Sequence, residues 1–570
     1  MPKIVTTEQM RAIEKASDAK GHGYADMMEL AGRAVAERVK HVLSGMAEPR
    51  IAILVGTGNN GGDGLVAGRL LAQEIEGAVV GAFLLKARGD EDEVFVKARD
   101  AGLFFATVED DKAAGYRVLQ NLVANADVVI DALFGTSLRL PLKGDAAKVL
   151  QAAHRAITLR RTERPIPPYT SPADPSGSVP DSGPIILAVD CPSGLDCDTG
   201  QIDNNTLHAH ETVTLAAAKP GLFVFPGAEA VGKLHIGDIG LPEHLPELDG
   251  IPLMLVDAAE VAARLPARPR DSHKGTFGKA MIVAGSLNYT GAAYLSAAAA
   301  YRSGTGLVTV GAPQIIIPTL AGMLPEATWI LLPHDMGVLN EAAVKVLREE
   351  IEGYSAMLLG PGFGREEVTA EFLRELLQPK EETRHSRAIS FVPVEADAPL
   401  EEPLAAALPP LVIDADALNL LSGMEHWPAL IPPGTILTPH PGEFSRLTGI
   451  DRDEVQANRI ALAQEKAAEW NCILVLKGAF TVVAVPDGRT AVEPFATSAL
   501  ASAGTGDVLA GTITGLLAQG LEPFDAALAG AWLHGMAGVR AEEMVETAAS
   551  VTAGDVLEML PEAIALAERV

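Results

Sequence analysis

Two glycine-rich segments and two aspartates at strand ends carry most of the chemistry this chain of 570 residues could perform. GTGNNGGDG (56–64) packs five glycines and two asparagines into nine residues directly after the apolar run RIAILV. Glycines let a backbone turn sharply and approach a ligand, and the amides at the following helix start can cradle an anion. Asn59, Asn60 and Asp63 place polar side chains at the same point. The spacing is not the usual dinucleotide fingerprint, so a tight strand–helix turn is an equally good reading of this loop by itself. ASAGTGDVLAG (501–511) is more specific. A small-residue turn opening a helix aims successive N–H groups at one point, where the helix dipole adds positive potential. Asp507, at that helix start, could take the proton of an attacking hydroxyl. Such positioning is most of what phosphoryl transfer needs. The lysine of a Walker A loop is missing.

Asp131 and Asp190 each end an apolar strand and lead into a turn, at Gly135 and at Pro192-Ser193-Gly194. Alone, either would be read as a cap or turn residue. Three polar strand ends in one parallel sheet define an edge where ligands bind.

The elements that must hold these groups alternate. Runs at 50–55, 126–132 and 185–189 read as buried strands, and the intervening segments have helical spacing. A second series follows from about residue 270: KAMIVAGS (279–286), GLVTVGAP (306–313), AMLLGPGFG (356–364), LVIDADALNLL (411–421), GTILTPHPGEF (434–444) and CILVLKGAFTVVAV (472–485). The fold class is therefore α/β in two domains. The boundary is placed among Pro242, Pro246, Pro252, Pro266 and Pro269, giving domains 1–245 and 246–570. Two stretches, 161–184 and 379–403, lack apolar periodicity and read as surface insertions.

With 74 acidic against 45 basic residues the net charge is −29, which argues against nucleic-acid binding. Cys191, Cys197 and Cys472 fit neither a disulfide framework nor a zinc pattern. With no apolar segment of signal or membrane-spanning type, the expectation is a cytoplasmic protein without membrane contact. Apolar residues make up 48% of the chain, enough for full-sized cores.

GTGNNGGDG, DALFGTSL and DCPSGLD, in that order, resemble the NAD(P)H-hydrate epimerase domain, the YjeF N-terminal family, over residues 1–245. The resemblance implies a Rossmann-like three-layer α/β/α domain that binds NADHX or NADPHX, the hydrated forms of NADH and NADPH. Its implied ligand contacts are Asn59, Asn60, Gly61, Gly62 and Asp63, and the loop Gly135, Thr136, Ser137, Leu138, Arg139, Leu140 and Pro141. Asp190 would face the reactive ring, and potassium would be held by Asn60, Asp131 and Ser193.

The anion-hole turn resembles that of the ribokinase-like superfamily. TPHPGEF and GPGFG narrow the likeness to the ADP-dependent NAD(P)H-hydrate dehydratases, over residues 270–565. This implies hydrate contacts from Ala292, Gly364, His440 and Asp507. It also implies ADP contacts from Lys477, Gly478, Ala479, Phe480, Thr481, Gly504, Thr505 and Gly506, with Mg2+ accompanying the nucleotide. Asp190 and Asp507 are the implied catalytic residues, and a homo-oligomer is expected. The implied activity interconverts the R and S hydrates and dehydrates the S form with ADP, releasing AMP and phosphate. A small-molecule kinase whose product keeps its phosphate is the rival reading. A non-catalytic N-terminal binding domain is another.

Overall fold

A computed structural model describes residues 2–136, 138–162, 183–378 and 408–569. Ser137 and nearly all of both expected insertions lie outside the described residues; Arg161 and Thr162 end the helix Gly144–Thr162. The chain divides into two compact units, residues 2–251 and 252–570.

The first unit holds a seven-stranded sheet: β1 (Arg50–Val55), β2 (Val79–Leu84), β3 (Phe104–Thr107), β4 (Val128–Ala132), β5 (Ile185–Val189), β6 (Glu211–Leu215) and β7 (Lys233–Gly237). Their order is β3-β2-β1-β4-β5-β6-β7, and every neighbouring pair is parallel. Alternate residues of a strand point to opposite faces. Ile51, Ile53 and Val55 of β1 accordingly enter one core with Val128, Ile130 and Val189. Ala52 and Leu54 enter another with Val129, Ile186 and Ala188. Helices cover both cores, which is why these strands are continuously apolar rather than alternating. The expected three-layer arrangement is present. Since β1, β4 and β5 are neighbours, their C-terminal ends place the glycine loop, Asp131 and Asp190 side by side.

The second unit begins with β8 (Leu253–Leu255), followed by β9 (Lys279–Val283), β10 (Leu307–Pro313), β11 (Thr328–Leu332), β12 (His334–Asp335), β13 (Val338–Leu339) and β14 (Ala356–Leu359). Then come β15 (Leu411–Ile413), β16 (Ile436–Leu437), β17 (Ile473–Leu476), β18 (Val482–Ala484) and β19 (Thr490–Val492). Ten of them form one sheet in the order β11-β10-β9-β14-β15-β16-β17-β18-β19-β8, while β12 and β13 pair separately. From β11 to β17 the sheet is parallel. The sequence reads 472–485 as a strand segment with Lys477 at a strand end, and the segment is a hairpin of antiparallel β17 and β18. Its turn, Lys477–Thr481, includes Gly478 at φ 139° and Phe480 at φ 54°, backbone conformations that no strand contains. The hairpin thereby carries Lys477 to the sheet's C-terminal edge.

No helix among the described residues is long and apolar enough to cross a membrane.

Candidate active sites

In the first unit, Asn59, Asn60, Asp63, Gly135, Thr136 and Asp190 line one cavity of about 440 Å³. The rest of its wall includes Met10, Arg11 and Glu14 of the N-terminal helix, Thr57, and Lys219. Gly61 and Gly62 face the protein instead. A Cβ on Gly61 would stand 2.3 Å from the Gly56 carbonyl oxygen, and one on Gly62 would stand 2.6 Å from Met28 Sδ. These two glycines let the helix Asn59–Glu74 pack closely after β1. Leu138, Arg139, Leu140 and Pro141 continue the loop away from the cavity wall, with Arg139 and Pro141 exposed.

Asp190 follows β5 with φ 65°, the left-handed region that aspartate tolerates better than most residues. Its Oδ1 accepts hydrogen bonds from Lys219 Nζ, from Thr214 Oγ1 at 3.2 Å and from the Leu215 amide at 3.3 Å. A Cβ built on Gly135 would be 3.2 Å from Asp190 Oδ2 and 3.3 Å from Asn60 Oδ1, so these two oxygens converge on the cavity-lining loop. Lys219 is 1% exposed. Burial opposes its charge, but Asp190 outweighs that and holds the ammonium above the ordinary lysine range. Burial, reinforced by Asp190 and Glu14, pushes the Asp63 carboxyl well above the usual range. The cavity thus pairs an anchored carboxylate with a carboxyl inclined to keep its proton.

Asp131 is fully buried and bound to the loop after β5. Its Oδ2 accepts from the Ser193 amide at 2.8 Å and its Oδ1 from Ser193 Oγ at 2.6 Å. Ser193 Oγ in turn accepts the Phe134 amide at 3.0 Å. Both polar atoms of the Asn60 amide are buried with no hydrogen-bond partner among the described residues. An orphaned carbonyl oxygen in a buried polar setting is of the kind a monovalent cation takes, so Asn60 is compatible with potassium. Cys191 and Cys197, in the same loop, bring their thiols within 2.7 Å of each other; all three cysteines are free and buried.

In the second unit, His440, Lys477, Gly478, Ala479, Thr481, Thr505 and Gly506 line a cavity of about 330 Å³. Phe495 and His534 complete part of its wall. Phe480 and Gly504 support it from outside the lining. The Phe480 amide donates to the Phe495 carbonyl at 2.7 Å, and Gly504, at φ 92°, caps the helix Thr505–Ala518. Ala292, Gly364 and Asp507 are not among this cavity's lining residues. Gly364 donates its amide to Asp416 Oδ2 at 3.1 Å, and Ala292 lies beside Gly362 in the turn preceding it.

Asp507 stands in the first turn of its helix. Burial, then the nearby Asp414 carboxylate, lifts its pKa to about 7, against the pull of Lys477. A base poised near neutrality is well matched to taking a hydroxyl proton. Lys477 Nζ donates to Asp414 Oδ1 at 2.6 Å, and Glu443 Oε2 lies 3.9 Å away. A Cβ on Gly506 would be 3.3 Å from the ammonium, which places that charge at the helix start. Burial opposes the lysine charge, yet Asp414 and Glu443 hold its pKa above normal. His440 caps the helix Pro441–Thr448: its Nδ1 accepts the Gly442 amide at 3.0 Å, and its Nε2 lies 3.1 Å from Glu443 Oε1. His534 is buried and driven down to about 4, so it is neutral, and Nε2 donates to the Thr505 carbonyl at 2.8 Å.

Residues 24–221 match the family model of the YjeF-related protein N-terminus, and residues 280–383 and 393–562 match that of NAD(P)H-hydrate dehydratase. The bifunctional NAD(P)H-hydrate repair enzyme Nnr of Moorella thermoacetica is 36% identical over 551 residues, spanning 94% of this chain and 91% of its own length. This chain belongs to the bifunctional NAD(P)H-hydrate repair enzymes. The Salinibacter ruber member is 34% identical, with 98% of this chain and 96% of that one covered. Among solved structures, an ADP/ATP-dependent NAD(P)H-hydrate dehydratase from Bacillus subtilis, co-crystallised with ATP and Mg2+, is 31% identical with a TM-score of 0.44. It matches 55% of this chain and 99% of its own.

Several groups in this repair enzyme escape a reading by motif. Lys219 stands four residues beyond β6 in a run of alanines, and Glu14 comes from a helix outside the matched region. Asp414 follows β15 as Asp190 follows β5, the same strand-end signal. His534 sits in the Ala-rich helix Pro523–Val545, where one polar residue among small ones is the only clue.

Proposed function

We propose that residues 2–251 interconvert the R and S hydrates and that residues 252–570 dehydrate the S hydrate at the expense of ADP, giving AMP and phosphate. The observation carrying this reading is the juxtaposition of Asp507, with its pKa near 7, and the partly buried Lys477 ammonium at one helix N-terminus. Asp507 takes the proton of the C6 hydroxyl as its oxygen attacks the β-phosphorus of ADP. The P–O bond to AMP breaks, and Lys477 and the helix amides balance the charge on the transferred group. The C6–O bond then breaks with its electron pair leaving on phosphate, assisted by the ring nitrogen. Loss of the C5 proton restores the C5–C6 double bond. The sum is hydrate plus ADP giving NAD(P)H, AMP, phosphate and a proton. Phosphate leaves where hydroxide would not, which is why a kinase-like site serves a net dehydration.

Among the described residues no cluster of three or more histidine, cysteine or acidic side chains could cage a metal. Mg2+ would therefore enter on the nucleotide phosphates, whose charge it neutralises, as this ion commonly does. In the first unit, potassium would be held by Asn60 Oδ1 together with Asp131 and Ser193, adding positive charge next to the ligand's phosphates. Asp190, anchored through Oδ1, presents Oδ2 to the reacting ring: it takes the proton of the C6 hydroxyl as the C6–N bond opens with its electron pair on nitrogen, and returns it when the nitrogen closes on the other face of the carbonyl.

The two halves are tested together with a mixture of R and S hydrates and excess ADP. The wild type is expected to convert all of it to NAD(P)H. Asp190→Ala should convert the S portion at the normal rate and the R portion only as fast as uncatalysed exchange. Equal consumption of both epimers by the variant would refute the assignment.

A further inference from the structure

Behind Asp507 lies a second acid to which neither the motifs nor the proposed chemistry gives a role. Asp414 follows β15, Thr438 follows β16 and Lys477 follows β17. These strands are neighbours, so the three side chains meet. Asp414 Oδ1 accepts from Lys477 Nζ at 2.6 Å and from Thr438 Oγ1 at 2.7 Å. Asp414 is 1% exposed, and its other oxygen, Oδ2, is buried with no hydrogen-bond partner among the described residues. On its far side the same ammonium reaches Gly506.

A buried ion pair is a poor way to stabilise a fold, because desolvation consumes most of the attraction. An unpaired carboxylate oxygen makes it poorer still. The arrangement makes sense as a means of placing charge. Among the described residues Lys477 pairs with Asp414 and, at 3.9 Å, with Glu443, and not with Asp507. If it bonded Asp507 directly, it would occupy the base and hold it ionised and weak.

We propose that Asp414 is a positioning residue for phosphoryl transfer, holding the Lys477 ammonium against the helix start and away from Asp507. This inference rests on Asp507 being the base of the dehydratase. Both effects of Asp414 on Asp507 have the same sign. Its own negative charge raises the proton affinity of Asp507, and its hold on Lys477 withholds a group that would lower it. The other charged groups around Asp507 are Asp416 and Glu443. Asp416 is paired with Arg365 and Glu443 with His440. His534 is neutral, and Arg459 donates to the Leu476 and Lys477 carbonyls. Glu443 Oε2 also lies 3.9 Å from Lys477 Nζ, so Glu443 shares that ammonium with Asp414.

The test is the pH dependence of kcat for dehydration in the full chain, with S hydrate, ADP and Mg2+ saturating. The wild-type rate is expected to fall about tenfold per pH unit below about 7. In Asp414→Asn this acid limb should move down by about one pH unit and the plateau should fall about 10- to 100-fold. The KM for ADP should change by less than about threefold, and epimer exchange not at all. Asp414→Glu keeps the charge and should leave the limb in place. Lys477→Gln should move it upward. A limb unmoved in Asp414→Asn, with only the plateau or the melting temperature lowered, would mean a purely structural role and overturn the proposal. Should Asp414→Asn not fold, a limb displaced in Asp414→Glu, or unmoved in Lys477→Gln, overturns it equally. If Asp507→Ala still dehydrates, the parent reading fails. An essential Asp507 with an immobile limb defeats this inference alone.

Discussion

Asp507→Ala is expected to slow ADP-dependent dehydration by about 10²- to 10⁴-fold, the usual cost of losing a positioned base. Exchange between R and S hydrates should keep its wild-type rate, because we assign that chemistry to the other unit. Asp507→Asn should be as inactive, since an amide has the shape but not the basicity. The same residue carries a stability signature. Its native pKa of about 7 lies above the ordinary value of 3.8, so between those limits the folded state binds more protons than the unfolded one. Stability therefore declines as pH rises through that window, and the full penalty is present above about 7. Asp507→Asn removes it and is expected to melt higher than the wild type at pH 8. Comparing melting curves at pH 5 and 8 checks the sign, since the difference between the two proteins should shrink at the lower pH. A residue whose removal stabilises the fold and abolishes turnover is retained for its chemistry.

The second large effect is expected at Lys219. Lys219→Met fills the volume but strands Asp190, whose Oδ1 then keeps only a hydroxyl and an amide as partners. Breaking a buried pair by removing one member costs about 3–5 kcal/mol, far more than the pair contributes over an apolar substitute. Denaturant unfolding should show that loss in the N-terminal transition, and epimer exchange should fall with it. The double variant Asp190→Asn, Lys219→Met separates the two effects. Its stability should return most of the way to wild type while exchange stays near the uncatalysed rate. Stability unchanged in Lys219→Met would mean that Asp190 is not held as described.

Much of both sites is legible in the sequence because strand ends are abrupt. A continuous apolar run must stop where the sheet stops, and a polar residue there faces the ligand edge; Asp131, Asp190 and the 56–64 loop are found this way. Asp414 and Lys477 carry the same signal, but their union does not. That pairing requires β15, β16 and β17 to be neighbours, a fact of topology that no local pattern contains. Lys219 is hidden differently. It reaches Asp190 from beyond β6, after a turn in which Ala216 adopts φ 60°, a conformation alanine rarely signals. The hairpin at 473–484 shows the opposite failure. The end of the first strand at Lys477 is legible, but the equally apolar run after it does not say that it folds back antiparallel on the first, and only Gly478 hints at the reversal. His440 has a dual reading throughout, because a histidine that caps a helix and one that meets a ligand occupy the same Pro-rich turn.

The Gly504-Thr505-Gly506-Asp507 turn signals a kinase, whereas the chain as a whole belongs to enzymes that remove water. The proposed transient phosphorylation of the hydrate reconciles the two. The most direct test follows the phosphorus: purified full-length protein, S hydrate and ADP labelled at its β-phosphorus, with Mg2+ and potassium present. Transient phosphorylation predicts AMP, labelled inorganic phosphate and restored NAD(P)H absorbance in equal amounts throughout the reaction. Label accumulating in a stable phosphorylated nucleotide without return of absorbance, or absorbance restored without AMP, would contradict it.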